Sequence, residues 1–186
     1  MKYVMGLLLG IGLIVLTFIL IFRIFSGGND TPKPQSINLS DYATTNAVMR
    51  YTVDGSTVAD LKHNKIRITV SKDQVLFEQI QGYEGKMVQT KTYPNNIQAF
   101  GTFLRALEIA KFDTGLSTAD KDERGYCPVG KRYLYEAIDG GDTLFRWWNT
   151  SCSQNQGSFK GKGSTIRPLF QKQVPDYNTL MRGVNL

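Results

Sequence analysis

The chain has 186 residues, 41% of them hydrophobic, with 22 basic and 16 acidic side chains, one histidine and two cysteines. Once an apolar leader is set aside, that length leaves room for one domain with a real core and too little for two. Two cysteines and the lone His63 cannot close a structural zinc site without carboxylate help, and the chain has no polybasic tract of the kind that dominates nucleic-acid affinity.

The leader is residues 3–22, apolar throughout and without a charge. It matches the ~20 residues that a helix needs to cross the hydrocarbon core of a bilayer, which predicts a transmembrane anchor over 1–25. The apolar part of a secretory signal peptide is shorter, ~7 to 15 residues, although Ser26 and Gly28 offer a small pair for a peptidase. A buried soluble helix, apolar all round, would need a larger protein about it. No cysteine near the run can carry a lipid, and the acid expected soon after the leader glycine of a type IV pilin is missing after Gly6. Lys2 on one side and Arg23 and Lys33 on the other leave the positive-inside rule undecided. Gly6 and Gly10 form a small-xxx-small pair that lets a second helix approach, a route to a homo-oligomer.

Residues 26–46 read as a flexible linker: Gly27, Gly28, Asn29 and Asp30 break the helix, and Pro32 and Pro34 keep the backbone extended. The remainder, 47–186, is the predicted domain. With Lys2 and Arg23 assigned to the anchor, it and the linker carry 20 basic against 16 acidic side chains. So mild an excess suits a cell-wall polymer, lipid headgroups or nucleic acid, and ordinary soluble surfaces as well.

The domain opens with strand patterns. Residues 48–53 precede the turn Asp54-Gly55; Ile66, Ile68 and Val70 alternate with Lys65, Arg67 and Thr69; 75–80 and 87–93 follow across turns at Ser71 to Asp73 and at Gly82 to Gly85. Such spacing predicts an antiparallel meander with one wet face. Pro94, Asn95 and Asn96 end it and offer an N-cap. From Ile97 to about Lys111, Phe100, Phe103, Leu104, Leu107 and Ala110 recur at helical spacing, so an amphipathic helix should cover the sheet. Residues 117–125 are polar; Asp120, Asp122 and Glu123 lack an ordered calcium-loop pattern and read as a solvated loop. Residues 132–138 and 143–149 flank Asp139-Gly140-Gly141-Asp142 as a hairpin. A short helix, capped by Ser164 or Thr165, should run to Phe170, and another should start at Pro175-Asp176 and end near Gly183. The fold class is therefore α+β: an N-terminal transmembrane helix, then one antiparallel sheet covered by an amphipathic helix.

Cys127 stands before the hairpin and Cys152 just after it, so a bond between them would staple its open end. Closing a loop of ~25 residues stabilises by roughly 3 kcal/mol in the chain-entropy model. An even count in an exported domain favours that disulfide and an oxidising, extracytoplasmic space; two buried free thiols in a cytosolic domain are the alternative.

Chemistry is sparse. Residues 157–165 have the wrong glycine spacing for a P-loop, and Lys162 is followed by Gly163 rather than Ser or Thr; they read as a flexible, basic surface loop. His63, Cys152 and Arg167 occur in the chain order found in sortases, and Thr150-Ser151-Cys152 resembles the end of their nucleophile strand. That resemblance implies a Cys/His-dependent transpeptidase or hydrolase of the cell envelope, which needs Cys152 as a free thiolate. The strand before it, 145–149, lacks the sortase apolar pattern, and His63 among Lys62, Asn64 and Lys65 reads as a solvated turn. No cofactor or metal site is expected.

A binding surface is the broader expectation. Tyr133 and Tyr135 share one face of the first hairpin strand, and Arg146 and Trp148 lie opposite Phe145 and Trp147 on the second. If the face away from the core is open, rings beside Lys131, Arg132 and Arg146 suit stacking on sugars, bases or a partner's aromatic side chains. The alternative is that both faces are covered, one by the helix and one by the C-terminal tail. An envelope protein or cell-wall polymer fits the mild charge better than single-stranded nucleic acid.

The run Gly125-Tyr126-Cys127-Pro128-Val129-Gly130-Lys131-Arg132-Tyr133, with Trp147, Cys152, Leu169-Phe170 and Pro175-Asp176-Tyr177, resembles single-anchor envelope proteins of Saccharibacteria and related small-genome bacteria over most of the ectodomain. The resemblance implies a bacterial envelope location and carries no activity or site.

Overall fold

The structure, a computed structural model, describes Thr17 and residues 37–117, 119, 122–153 and 156–186. Apart from Thr17, the predicted anchor with Gly6 and Gly10, linker residues 26–36, and Asp120 lie outside the described residues. Among those described, no helix is long and apolar enough to cross a membrane. The chain divides into two units, Met1–Lys33 and Pro34–Leu186, and every named element belongs to the second.

Six strands form one antiparallel sheet: β1 Val48–Asp54, β2 Asn64–Ser71, β3 Gln74–Gln81, β4 Lys86–Pro94, β5 Arg132–Asp139 and β6 Asp142–Thr150, in the spatial order β4-β3-β2-β1-β5-β6. The meander thus grows to one side of β1 and the hairpin docks on the other. Gly140 and Gly141, both with positive φ (59° and 97°), make the two-residue hairpin turn. Between the two halves runs the helix α1, Ile97–Ile109, whose first turn is capped by the Asn96 side chain accepting from the Ala99 amide at 2.9 Å.

Alternation sorts the strands into two faces. Met49, Tyr51 and Val53 of β1 pair with Val70, Ile68 and Ile66 of β2 and with Ala137, Tyr135 and Tyr133 of β5. These side chains pack with Phe100, Phe103, Leu104 and Leu107 of α1, and with Ile166 and Phe170 of a second helix, α2 (Gly163–Gln171). Phe170 is the hub: its ring lies 5.1 Å from Phe103, 5.4 Å from Tyr51 and 5.5 Å from Phe112. A short helix, α3 (Tyr177–Leu180), closes the chain against the same core. The cap of α2 differs from expectation: Lys162, not Ser164 or Thr165, occupies that position, and no side chain caps the helix.

The opposite face carries charge. Arg50 lies 3.9 Å and Arg146 3.5 Å from Glu136, Arg146 reaches Glu123 at 2.6 Å, and Arg67 lies 3.8 Å from Glu78. Nearer the end of β1, Asp54 meets Arg132 at 2.9 Å, Lys65 at 3.6 Å and His63 at 2.9 Å.

The domain begins earlier than residue 47. Leu39–Tyr42 is a 3₁₀ turn with Leu39 buried in the core. The Ile37 amide donates to Asp113 Oδ2 at 3.0 Å, and Ser40 donates twice to the Glu108 carboxylate. Residues 37–46 are folded structure rather than linker because Leu39 is buried in the core and the polar groups of 37–40 find carboxylates on α1, at Glu108, and just beyond it, at Asp113.

Candidate functional site: a basic groove at the end of the hairpin

The aromatic surface expected on the hairpin does not form, because its rings are core on both sides. Tyr133, Tyr135 and Trp147 pack under the helices, and Trp147 Nε1 donates to the Asp113 carbonyl at 3.2 Å. Trp148 points the other way, yet it is only 1% exposed: the Tyr126 ring lies 4.9 Å away, and residues Ser158 and Phe159 hydrogen-bond its backbone. The cover is thus the segment before the hairpin and the one after it, not the C-terminal tail.

Two of the cations of that surface are also spoken for. Arg132 is buried, with Nε and a terminal nitrogen on Asp54 Oδ2 and a 2.7 Å bond to the Gly55 carbonyl. Arg146 bridges Glu123 and Glu136, and the Lys131 backbone pairs with Ser151. The acidic loop uses its carboxylates in the same way: Asp122 pairs with Arg124, which holds it down to about 2, and Glu123 pairs with Arg146.

Cys127 and Cys152 are joined, with Cα atoms 5.7 Å apart, and close the hairpin as their positions predict. That bond removes the thiolate on which the sortase-like reading depends. His63 is no solvated turn residue either. It is 1% exposed, with Nδ1 3.0 Å from the Ser56 carbonyl, Nε2 on Asp54, and its ring stacked on Tyr83 at 4.3 Å.

A basic surface lies beside the hairpin. A groove of about 610 Å³ opens between the end of the hairpin, which contributes Tyr133, Tyr135, Asn149, Thr150 and Ser151, and the segment Phe159 to Arg167. Lys160, Lys162 and Arg167 line it, and no acid does among the described residues. Tyr133 and Tyr135 are the two members of the expected surface that reach it. Arg167 lies over the Tyr133 ring, 4.7 Å from its centroid. Tyr135 donates to Asn149 Oδ1 at 3.2 Å and stacks on Phe159 at 3.9 Å. Burial pushes the Tyr51 and Tyr135 hydroxyls well above the ordinary tyrosine range, and the charge of Arg167 pulls the other way.

The groove wall is tied down, which corrects the expectation of a flexible loop. Ser158 and Phe159 are buried, Phe159 bridges to Gly115, and the Lys160 and Lys162 amides donate to the Thr114 and Ala110 carbonyls. The glycines signal close approach instead of freedom: a Cβ would lie 2.2 Å from the Trp148 carbonyl at Gly157 and 1.9 Å from the Lys111 carbonyl at Gly161. Nothing in local periodicity points to this groove, since its two walls are separated in the chain; the density of Lys and Gly at 157–163 was the available sign.

No protein-family model matches the chain, and no curated protein is significantly similar to it.

Proposed function

We propose that this is a membrane-anchored, outward-facing binding domain without chemistry of its own, which takes an anionic envelope ligand in the basic groove. The observation that carries the reading is the groove's charge: three cations and no acid among the described residues that line it. The apolar run 3–22 supports the anchor. The disulfide supports an oxidising space on the far side of the bilayer. With both cysteines in that bond and His63 buried against Asp54, no nucleophile is activated in the manner of a thiol hydrolase.

The test is titration of the full chain, in detergent micelles, with fluorescent polyphosphate as the probe. Binding should weaken with salt. It should fall about tenfold or more in Lys160→Ala/Lys162→Ala/Arg167→Ala, three exposed contacts at roughly 0.5 kcal/mol or above each. Equal binding by the triple variant, or none by the parent, defeats the reading. Topology is tested separately: the chain should resist extraction from vesicles by alkaline carbonate, and the domain should be open to protease from the outer side only.

A further inference from the structure

The three cations of the groove are not equivalent. Lys160 and Lys162 end in ammonium groups, which are compact, strongly hydrated point charges, whereas a guanidinium offers a planar fork matched to two oxygens at once. Five arginines of the domain direct that fork at carboxylates: Arg50, Arg67, Arg124, Arg132 and Arg146. Arg167 does not. Among the described residues it enters no ion pair; its guanidinium carbon lies over the Tyr133 ring instead. Arg105 and Arg182 also stand outside the ion pairs, but they do not line the groove.

The rings of the groove are closed to stacking. Tyr135 is 1% exposed against Phe159, Tyr133 is 9% exposed, and Arg167 lies over it. A base or a sugar therefore finds no open aromatic face, which single-strand binders rely on. What the groove presents is positive charge with hydroxyl and amide groups from Asn149, Ser151, Ser164 and Thr165.

Resting on the groove reading above, we infer that Arg167 is the selecting residue, and that its fork grips a two-oxygen anion, carboxylate or phosphoryl, on a polymer recognised through its charge and not through its bases. Tyr133 supports one face of the guanidinium and the buried Tyr51 hydroxyl engages part of its donor edge, leaving the remaining donors for the ligand.

The experiment titrates the full chain in micelles with polyphosphate and with polyacrylate of similar charge. Arg167→Lys keeps the charge and loses the fork. It should weaken binding of at least one probe about tenfold, while Arg105→Lys, the same exchange at an exposed arginine outside the groove, stays within about twofold of the parent. A loss confined to polyphosphate assigns a phosphoryl ligand, a loss confined to polyacrylate a carboxylate, and a loss on both the shared chemistry. Arg167→Gln, planar but uncharged, should lose at least as much. Parent-like binding of both probes by Arg167→Lys overturns the inference and leaves the groove reading standing. Parent-like binding by the triple variant ends both. Binding of a thymidine oligonucleotide more tightly than polyphosphate of equal charge also overturns it, because the bases would then contribute.

Discussion

The two faces of the sheet are built from the same strands by the same alternation, and they solve burial differently. On one face, Tyr51, Ile68, Tyr135 and Trp147 stand side by side and are covered by α1 and α2. On the other, Arg50, Glu136 and Arg146 cross the strands as an ion-pair ladder, and the one large ring there, Trp148, is covered by loops. A face of rings takes its stability from area removed from water. A face of charges holds only while each charge keeps its partner, because a lone half-buried ion is far costlier than the pair is stabilising.

Breaking the apolar side should have the largest effect. Phe170→Ala removes the ring on which three others converge and should cost about 3–5 kcal/mol, read as a fall in the urea midpoint with the slope unchanged. On the polar side, Arg132→Met leaves Asp54 with only His63 and Lys65. It should approach the same range, about 3 kcal/mol, whereas adding Asp54→Leu should restore part of the loss. If Arg132→Met alone is neutral, the charged face is decoration and the contrast between the faces fails.

The disulfide links the segment that covers Trp148 to the end of β6. Cys127→Ser/Cys152→Ser should lower stability by about 3 kcal/mol, with Trp148 becoming accessible to a soluble quencher before Trp147 does. Simultaneous exposure of both tryptophans would show that the two faces unfold as one.

The smallest effect is with pH, and it sharpens the comparison because it acts on the ringed face. Burial raises Tyr51, Tyr135 and Tyr177, and burial with the hydrogen bond to Asp176 raises Tyr93 to about 12. Above the unfolded value of about 10, the unfolded chain releases protons that the folded chain keeps. The stabilisation is therefore complete below pH 10 and is lost as pH rises toward 12. The thermal midpoint should drop by several degrees across that window, with phenolate absorbance lagging in the folded protein.

Much of this was legible without coordinates. Alternation in β2, apolar runs and turn signals placed all six strands, the helical spacing of Phe100, Phe103, Leu104 and Leu107 placed α1 and its buried stripe, and Asn96 and the Gly140-Gly141 turn marked their boundaries. The pairing of Cys127 with Cys152 followed from where they flank the hairpin. These are local properties, set by backbone sterics and by which side of an element a residue falls on.

What the tertiary structure alone decided is company. A strand pattern does not say that β5 will dock beside β1, and so nothing local showed that Tyr133 would meet Tyr51 or that Arg132 would be buried on Asp54. The same blindness left open whether Arg132, Arg146 and Trp148 would stand on an exposed face or a covered one, and made residues 157–163 read as a free loop. Alternation assigns a side chain to a face, but whether that face meets water depends on what distant chain returns to lie on it, and the basic groove exists only because 160–167 returns to the end of the hairpin.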